Sequence, residues 1–144
     1  MNEIILYVDE YRDSSTLIKD GITFSNTKIV KLLIDGIDVE EDVNLFDAMI
    51  YFPELCLSYQ NTGRYLIFTC ANGIAMDGGW EGVDVIVDED TINWSFEAGD
   101  TVYKYNFDKL EYILEIESVR SFLKENNELA LEPSWIMFPE KWHR

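Results

Sequence analysis

Hydrophobic and polar residues alternate most regularly between positions 83 and 107. Val83, Val85 and Val87 take every second place, with Asp84, Ile86 and Asp88 between them, so one face of an extended segment packs inward while carboxylates meet water. Ile92, Trp94 and Phe96 repeat that period, Glu97-Ala98-Gly99-Asp100 reads as a turn, and Tyr103, Tyr105 and Phe107 repeat it again, which predicts an antiparallel hairpin. Upstream, Ile4 to Val8 and Thr27 to Ile34 predict buried strands, the second closed by the turn signal Asp35-Gly36. The aromatic and branched residues of Arg64 to Cys70 suit another strand.

The period changes in two places. Leu45, Phe46, Met49 and Ile50 fall at helical spacing within Val43 to Phe52, with Asp42 as N-cap and Pro53 as a stop, and predict a short helix. A longer helix over 108–125 follows from Tyr112, Ile116, Val119 and Leu123, widened by Ile113 and Phe122. Asp108 and Glu111 stand at capping-box spacing at its start, and Asn126-Asn127 ends it. The tail from Leu129 to Pro139 is apolar enough to dock back, and Pro133 and Pro139 restrict it to a sheet edge. Trp94 and Trp135 are expected in the core. The pattern predicts an α+β fold: an antiparallel sheet of about five to six strands with two main helices packed on one face, in a single domain over residues 1–144.

Composition supports a folded chain. Of 144 residues, 47% are hydrophobic and 14% aromatic, more apolar surface than a disordered acidic segment carries. Cys56 and Cys70 are too few for a disulfide framework and read as reduced thiols. The first ten residues have no basic stretch and meet Asp9 and Glu10 after a short apolar run, so the expectation is a cytoplasmic protein with no leader and no membrane span.

Charge changes the picture more. The net charge is −17, and residues 35–100 hold 15 of the 28 acidic residues against one base, Arg64. Two runs concentrate it: Asp35, Asp38, Glu40, Glu41 and Asp42, then Asp84, Asp88, Glu89 and Asp90. Like charges so close together repel and cost stability, yet they create a field that steers basic partners. A solvated, solubility-promoting face is the plainer alternative. Between the runs, Gly73, Gly78, Gly79 and Gly82 surround Trp80, flanked by Asp77 and Glu81. This segment reads either as a bend needing glycine or as an aromatic anchor ringed by acids. The candidate partner-binding set is therefore both runs together with Asp77, Trp80 and Glu81.

Other chemistries lack their parts. The only imidazole, His143, is the penultimate residue, which leaves a nucleophilic triad without its base. Asp88-Glu89-Asp90 starts like a calcium loop, but Ile92 and Asn93 occupy positions that need a ligand and a glycine. No phosphate-binding glycine motif is present, and direct contact with nucleic acid would need clustered Lys and Arg. No catalytic, cofactor or metal residues are assigned.

A small domain with an acidic middle, no catalytic set and many aromatics resembles, in overall character, the bacterial immunity proteins of contact-dependent inhibition and related polymorphic toxin systems. The resemblance implies a cytoplasmic inhibitor that covers the active or substrate-binding surface of a cognate basic toxin, often a nuclease. Two alternatives keep the same carboxylates: a nucleic-acid mimic or regulatory binding protein, and a carboxylate-based enzyme or metal binder.

Overall fold

In the computed structural model, which describes residues 1–144, the longest element is a hairpin. Strands β1 (Ile4–Lys19) and β2 (Ile22–Ile34) run antiparallel from the pair Ile4 and Ile34 to the pair Lys19 and Ile22. Asp20 (φ 50°) and Gly21 (φ 75°) turn the chain. Two central residues at positive φ suit a type I′ turn, whose twist matches that of the strands it joins. The register shifts between Tyr11 and Thr16, where Asp13 takes φ 54°, and the arm beyond is a continuation that the run Ile4 to Val8 alone does not reveal.

Short elements follow. Strand β3 (Ile37–Asp38) folds back on the end of β2; then come β4 (Met49–Ile50), helix α1 (Phe52–Leu57), β5 (Gly63–Tyr65) and β6 (Phe68–Thr69). The helix expected over Val43–Phe52 is not formed. Residues 43–47 are turns, β4 pairs with β6, and the helix begins at Phe52 with Pro53 in its first turn. Pro53 starts a helix here, since its missing N–H is one that a first turn leaves unbonded. The apolar spacing was real, because Leu45, Met49 and Ile50 are all buried, but irregular backbone buries them.

The most regular part matches its pattern closely. Strands β7 (Val83–Val87), β8 (Thr91–Ala98) and β9 (Thr101–Asp108) form a meander with β5 on its edge, in the order β5-β7-β8-β9. Helix α2 (Lys109–Glu125) follows at once, with Asp108 Oδ2 accepting from Glu111 N at 2.9 Å as its cap. Its buried stripe of Tyr112, Ile116 and Val119 packs over β1, β8 and β9. Strand β10 (Ala130–Leu131) lies parallel to β2 at Thr27 and Lys28, on the edge away from β1. The tail beyond it sends Ile136 inward but leaves Trp135 64% exposed, so Trp135 is not the core residue its type suggested.

The fold is α+β with antiparallel sheets, and its strands divide into two four-stranded sheets and a two-stranded one. Asn2 ties the larger sheets together: its N donates to Asn106 O at 2.7 Å, and Asn106 N donates to Asn2 Oδ1 at 2.9 Å. The core fills the splay between them, with Ile4, Leu6, Val30 and Leu32 from one side and Val85, Ile92, Trp94 and Phe107 from the other. Trp94 is its hub, edge-on to Phe107 at 5.0 Å and to Tyr112 at 6.1 Å. Its indole N–H donates to Tyr112 Oη (3.1 Å), which lies 2.6 Å from Ser58 Oγ. Ser58 gives its own proton to Leu55 O at 2.7 Å, so Tyr112 must be the donor to Ser58 and no group in this buried chain is left unpaired.

Candidate functional site

One end of the molecule gathers the tips of four segments: the β1–β2 turn, residues 42–47, the loop 77–82 and the β8–β9 turn. Hydrogen bonds set their mutual positions. Asp20 N donates to Asp47 Oδ1 at 3.2 Å, and Trp80 Nε1 donates to Asn44 O at 3.0 Å. Gly99 (φ 60°) faces Asn44 so closely that a Cβ there would sit 2.5 Å from Asn44 Oδ1, and glycine at the first central position is what a type II′ turn requires. Two depressions adjoin at Gly99. One, of about 440 Å³, is lined by Arg64, Glu81, Asp84 and Glu97; the other, of about 380 Å³, by Asp20, Val43, Phe46, Asp47 and Asp77.

Carboxylates prevail at this end. Asp84 forms its one ion pair with Arg64, 3.9 Å away, with Lys104 two strands across on the same face, and Glu81 and Glu97 form no ion pair. Lys19 is buried and committed to Phe46 O (2.5 Å) and to an ion pair with Glu40, so it offers the surface little positive charge. Val43, 82% exposed, and Phe46 stand out among the acids as apolar contacts.

The predicted residues divide into three groups. Asp77, Glu81 and Asp84 are exposed at this end, and Asp42 borders it through bonds from Asn44 N (2.8 Å) and Tyr103 Oη (2.7 Å). Burial pushes the Tyr103 phenol up, and the Asp42 carboxylate that accepts its proton adds to that. Asp35, Asp38 and Glu40 are largely satisfied by partners within the chain, Asp35 at the surface and the other two half-buried. Asp35 accepts from Glu3 N (2.8 Å) and Asn2 Nδ2 (2.7 Å), bonds that hold its carboxyl below the usual range. Asp38 caps a 3-10 turn at Glu40 N and pairs with Lys31 at 3.2 Å, while Glu40 pairs with both Lys31 and Lys19. Glu41 is exposed and, unlike exposed Asp35, has no hydrogen-bond or ion-pair partner.

Asp88, Glu89 and Asp90 form the third group and correct the expected convergence. They occupy the β7–β8 turn, at the opposite end of β8 from Gly99. Eight residues of strand put about 27 Å between the two ends. There they adjoin the start of α2, with Lys109 N bonded to Asp90 O and Lys109 Nζ to Asp88 O.

Trp80 is also corrected. It is 8% exposed and packs in the core, so it is no surface anchor. Gly78 makes room for it, since a Cβ there would fall 2.1 Å from the indole ring, and Gly82 (φ 107°) does the same for Trp142. The loop is further held by Asn72, whose Oδ1 accepts from Ile74 N and whose Nδ2 donates to Asp77, and by Met137, which bonds to Gly73 O and Ala75 N. The glycines therefore serve close packing. Asp20, Asp47, Glu97 and Asp100 were missed as isolated acids, although Asp20-Gly21 and Gly99-Asp100 are turn pairs that place carboxylates at hairpin tips.

No group of three or more His, Cys, Asp or Glu side chains is arranged to hold a metal ion, and no helix is long and apolar enough to cross a membrane. No family model, curated protein or solved structure matches the chain.

Proposed function

We propose that this chain is a cytoplasmic immunity-type inhibitor that binds a basic protein, a cognate toxin domain such as a nuclease, through its acidic loop end. The observation that supports this reading is the meeting of Asp20, Asp47, Asp77, Glu81, Asp84 and Glu97 from separate stretches around Gly99, with half-buried Arg64 as the one base lining the two depressions. Such a surface raises the encounter rate with a cationic partner, and exposed Val43 and Phe46 supply apolar contact area once the partner is seated. The same field repels nucleic acid, so the inhibitor would act on the enzyme and not on its substrate.

The test takes the basic C-terminal domain encoded by a neighbouring toxin gene and measures its binding to the full chain at rising salt. Affinity should fall steeply with ionic strength, and Glu81→Lys with Glu97→Lys should weaken it about tenfold or more, while Asp88→Lys with Glu89→Lys leaves it within about twofold. Salt-indifferent binding, or equal sensitivity at the two ends of β8, would refute the surface. Displacement of the chain by duplex DNA that has no effect on the charge-reversed variant would favour the nucleic-acid mimic instead.

A further inference from the structure

The distal half of the β1–β2 hairpin carries an edge that no other strand covers. Because Asp20-Gly21 is a two-residue turn, Lys19 and Ile22 form a hydrogen-bonded pair. Such pairs alternate along an antiparallel ladder, so Leu17 with Phe24 is the next, and Thr16 and Ile18 aim their N–H and C=O groups away from β2. The proximal part of the same edge is occupied: Leu6 N donates to Glu115 Oε1 at 2.8 Å, and Asn2 pairs with β9. Beyond the bulge, β1 has β2 as its only strand partner.

That stretch is also poorly guarded. Proteins blunt free strand edges with charge, proline or bulges. Here the bulge at residues 12–15 ends any outside pairing on one side, but Ser14-Ser15-Thr16-Leu17-Ile18 carries no charge in a chain that is 27% charged. Ile18 is 65% exposed, and its cross-strand neighbour Thr23 is exposed as well.

We propose that the Thr16–Lys19 edge accepts an extended segment of a basic partner protein as an added β-strand. Main-chain bonds at Thr16 and Ile18 set the register, and Ile18, with Thr23 behind it on β2, receives the segment's side chains on the outer face. Charge decides between occupants. The edge runs out at Asp20, beside Asp47 and Asp77, so lysines or arginines beyond the added strand meet carboxylates. A second copy would instead bring −17 against −17. The inference rests on the acidic-surface reading only for the sign of the occupant's charge.

The experiment titrates the isotope-labelled full chain with a blocked, alternating Lys-Val octapeptide and follows amide hydrogen exchange residue by residue. The expected result is exchange slowed about tenfold or more at Thr16 and Ile18. A Glu-Val peptide, or a Lys-Val peptide N-methylated on alternate amides, should leave it unchanged. Ile18→Pro removes an outward N–H without touching the bonds to β2, and should abolish the protection. If that variant proves unstable, the N-methylated peptide carries the same test. Unchanged exchange at Thr16 and Ile18 under saturating Lys-Val peptide overturns the proposal, as does a dimer of the chain alone that Ile18→Pro dissolves. Equal protection by the Glu-Val peptide overturns the basic occupant. The acidic-surface reading fails by a separate measurement, the charge reversal at Glu81 and Glu97.

Discussion

Arg144 closes on Glu54 from 90 residues away, with Nη1 2.8 Å from Oε1 and Nη2 2.6 Å from Oε2. Glu54 sits in the first turn of α1 and is 2% exposed; its one other donor is Leu66 N at 3.0 Å. The guanidinium also lies over the Tyr65 ring at 5.0 Å, so a single side chain joins α1, β5 and the C-terminal segment.

Removing that guanidinium strands a buried carboxylate with one amide donor. Breaking one partner of a buried pair costs about 3–5 kcal/mol, and because Arg144 is 39% exposed on its side chain, water can partly replace it. Arg144→Ala should therefore cost about 3 kcal/mol in urea denaturation, at the low end of that range. Adding Glu54→Gln should recover part of the loss, giving a coupling that a merely local role for Arg144 would not produce.

Trp80 and Trp135 offer a contrast. Truncating buried Trp80 to alanine should cost about 3–5 kcal/mol, whereas Trp135→Ala should stay within about 0.5 kcal/mol. Gly78→Ala should act on Trp80 from the side, driving a methyl into the indole and breaking its bond to Asn44 O, at a cost of about 1–3 kcal/mol. A change in tryptophan emission on Gly78→Ala checks the mechanism; unaltered emission and stability would contradict it.

These residues also show what the sequence made legible. The 83–107 alternation and the 112–123 stripe were readable because one face of each element meets the core, and Asp108 marked the boundary between them. Residues 43–53 were not, because buried coil can place Leu45, Met49 and Ile50 at helical intervals, and proline begins helices as readily as it ends them. The acidic runs were visible, but not their fate. Lys19 stands well before Glu40 and Lys31 across a turn from it, and only the β1–β2–β3 register brings both to it. Single acids at turn tips, such as Asp20 and Asp47, give no run to notice, yet the fold assembles them.

The tyrosines predict how the protein meets alkali. All eight have phenols raised above 10.0, with burial the first cause in each, and Tyr11 is pushed up to about 12 with added help from its bond to Asp9. A phenol that binds its proton more tightly in the folded state than in the unfolded one contributes stability that is complete below the unfolded value, near pH 10, and is lost as pH rises toward the folded value. Stability should be flat on this account up to about pH 9.5 and fall beyond it, with the tyrosinate absorbance of buried Tyr51, Tyr65 and Tyr112 appearing together with the loss of circular dichroism. Tyr112→Phe should remove one titrating group but break the Trp94–Tyr112–Ser58 chain, lowering stability at neutral pH by about 1–3 kcal/mol. Titration of Tyr51, Tyr65 and Tyr112 well before unfolding would refute their burial.

Charge gives the last prediction. At −17 the native state carries self-repulsion, strongest where Glu81, Asp84 and Glu97 line one depression with a single arginine. Screening by salt should raise the unfolding midpoint, most of the gain arriving as the Debye length falls from about 30 Å at 0.01 M to about 8 Å at 0.15 M. Glu81→Lys and Glu97→Lys should each stabilise by up to about 0.5 kcal/mol at low salt, since exposed charges interact weakly, and the gain should fade as salt is added. Asp38→Ala should do the opposite, because it removes a partner of Lys31 and the cap on Glu40 N. If Glu81 and Glu97 serve binding, the substitutions that stabilise the free protein are those that weaken its complex, which is the trade expected of a surface kept acidic for a partner. Reversal at Glu81 or Glu97 that destabilises at low salt would show instead that these carboxylates are already neutralised within the fold.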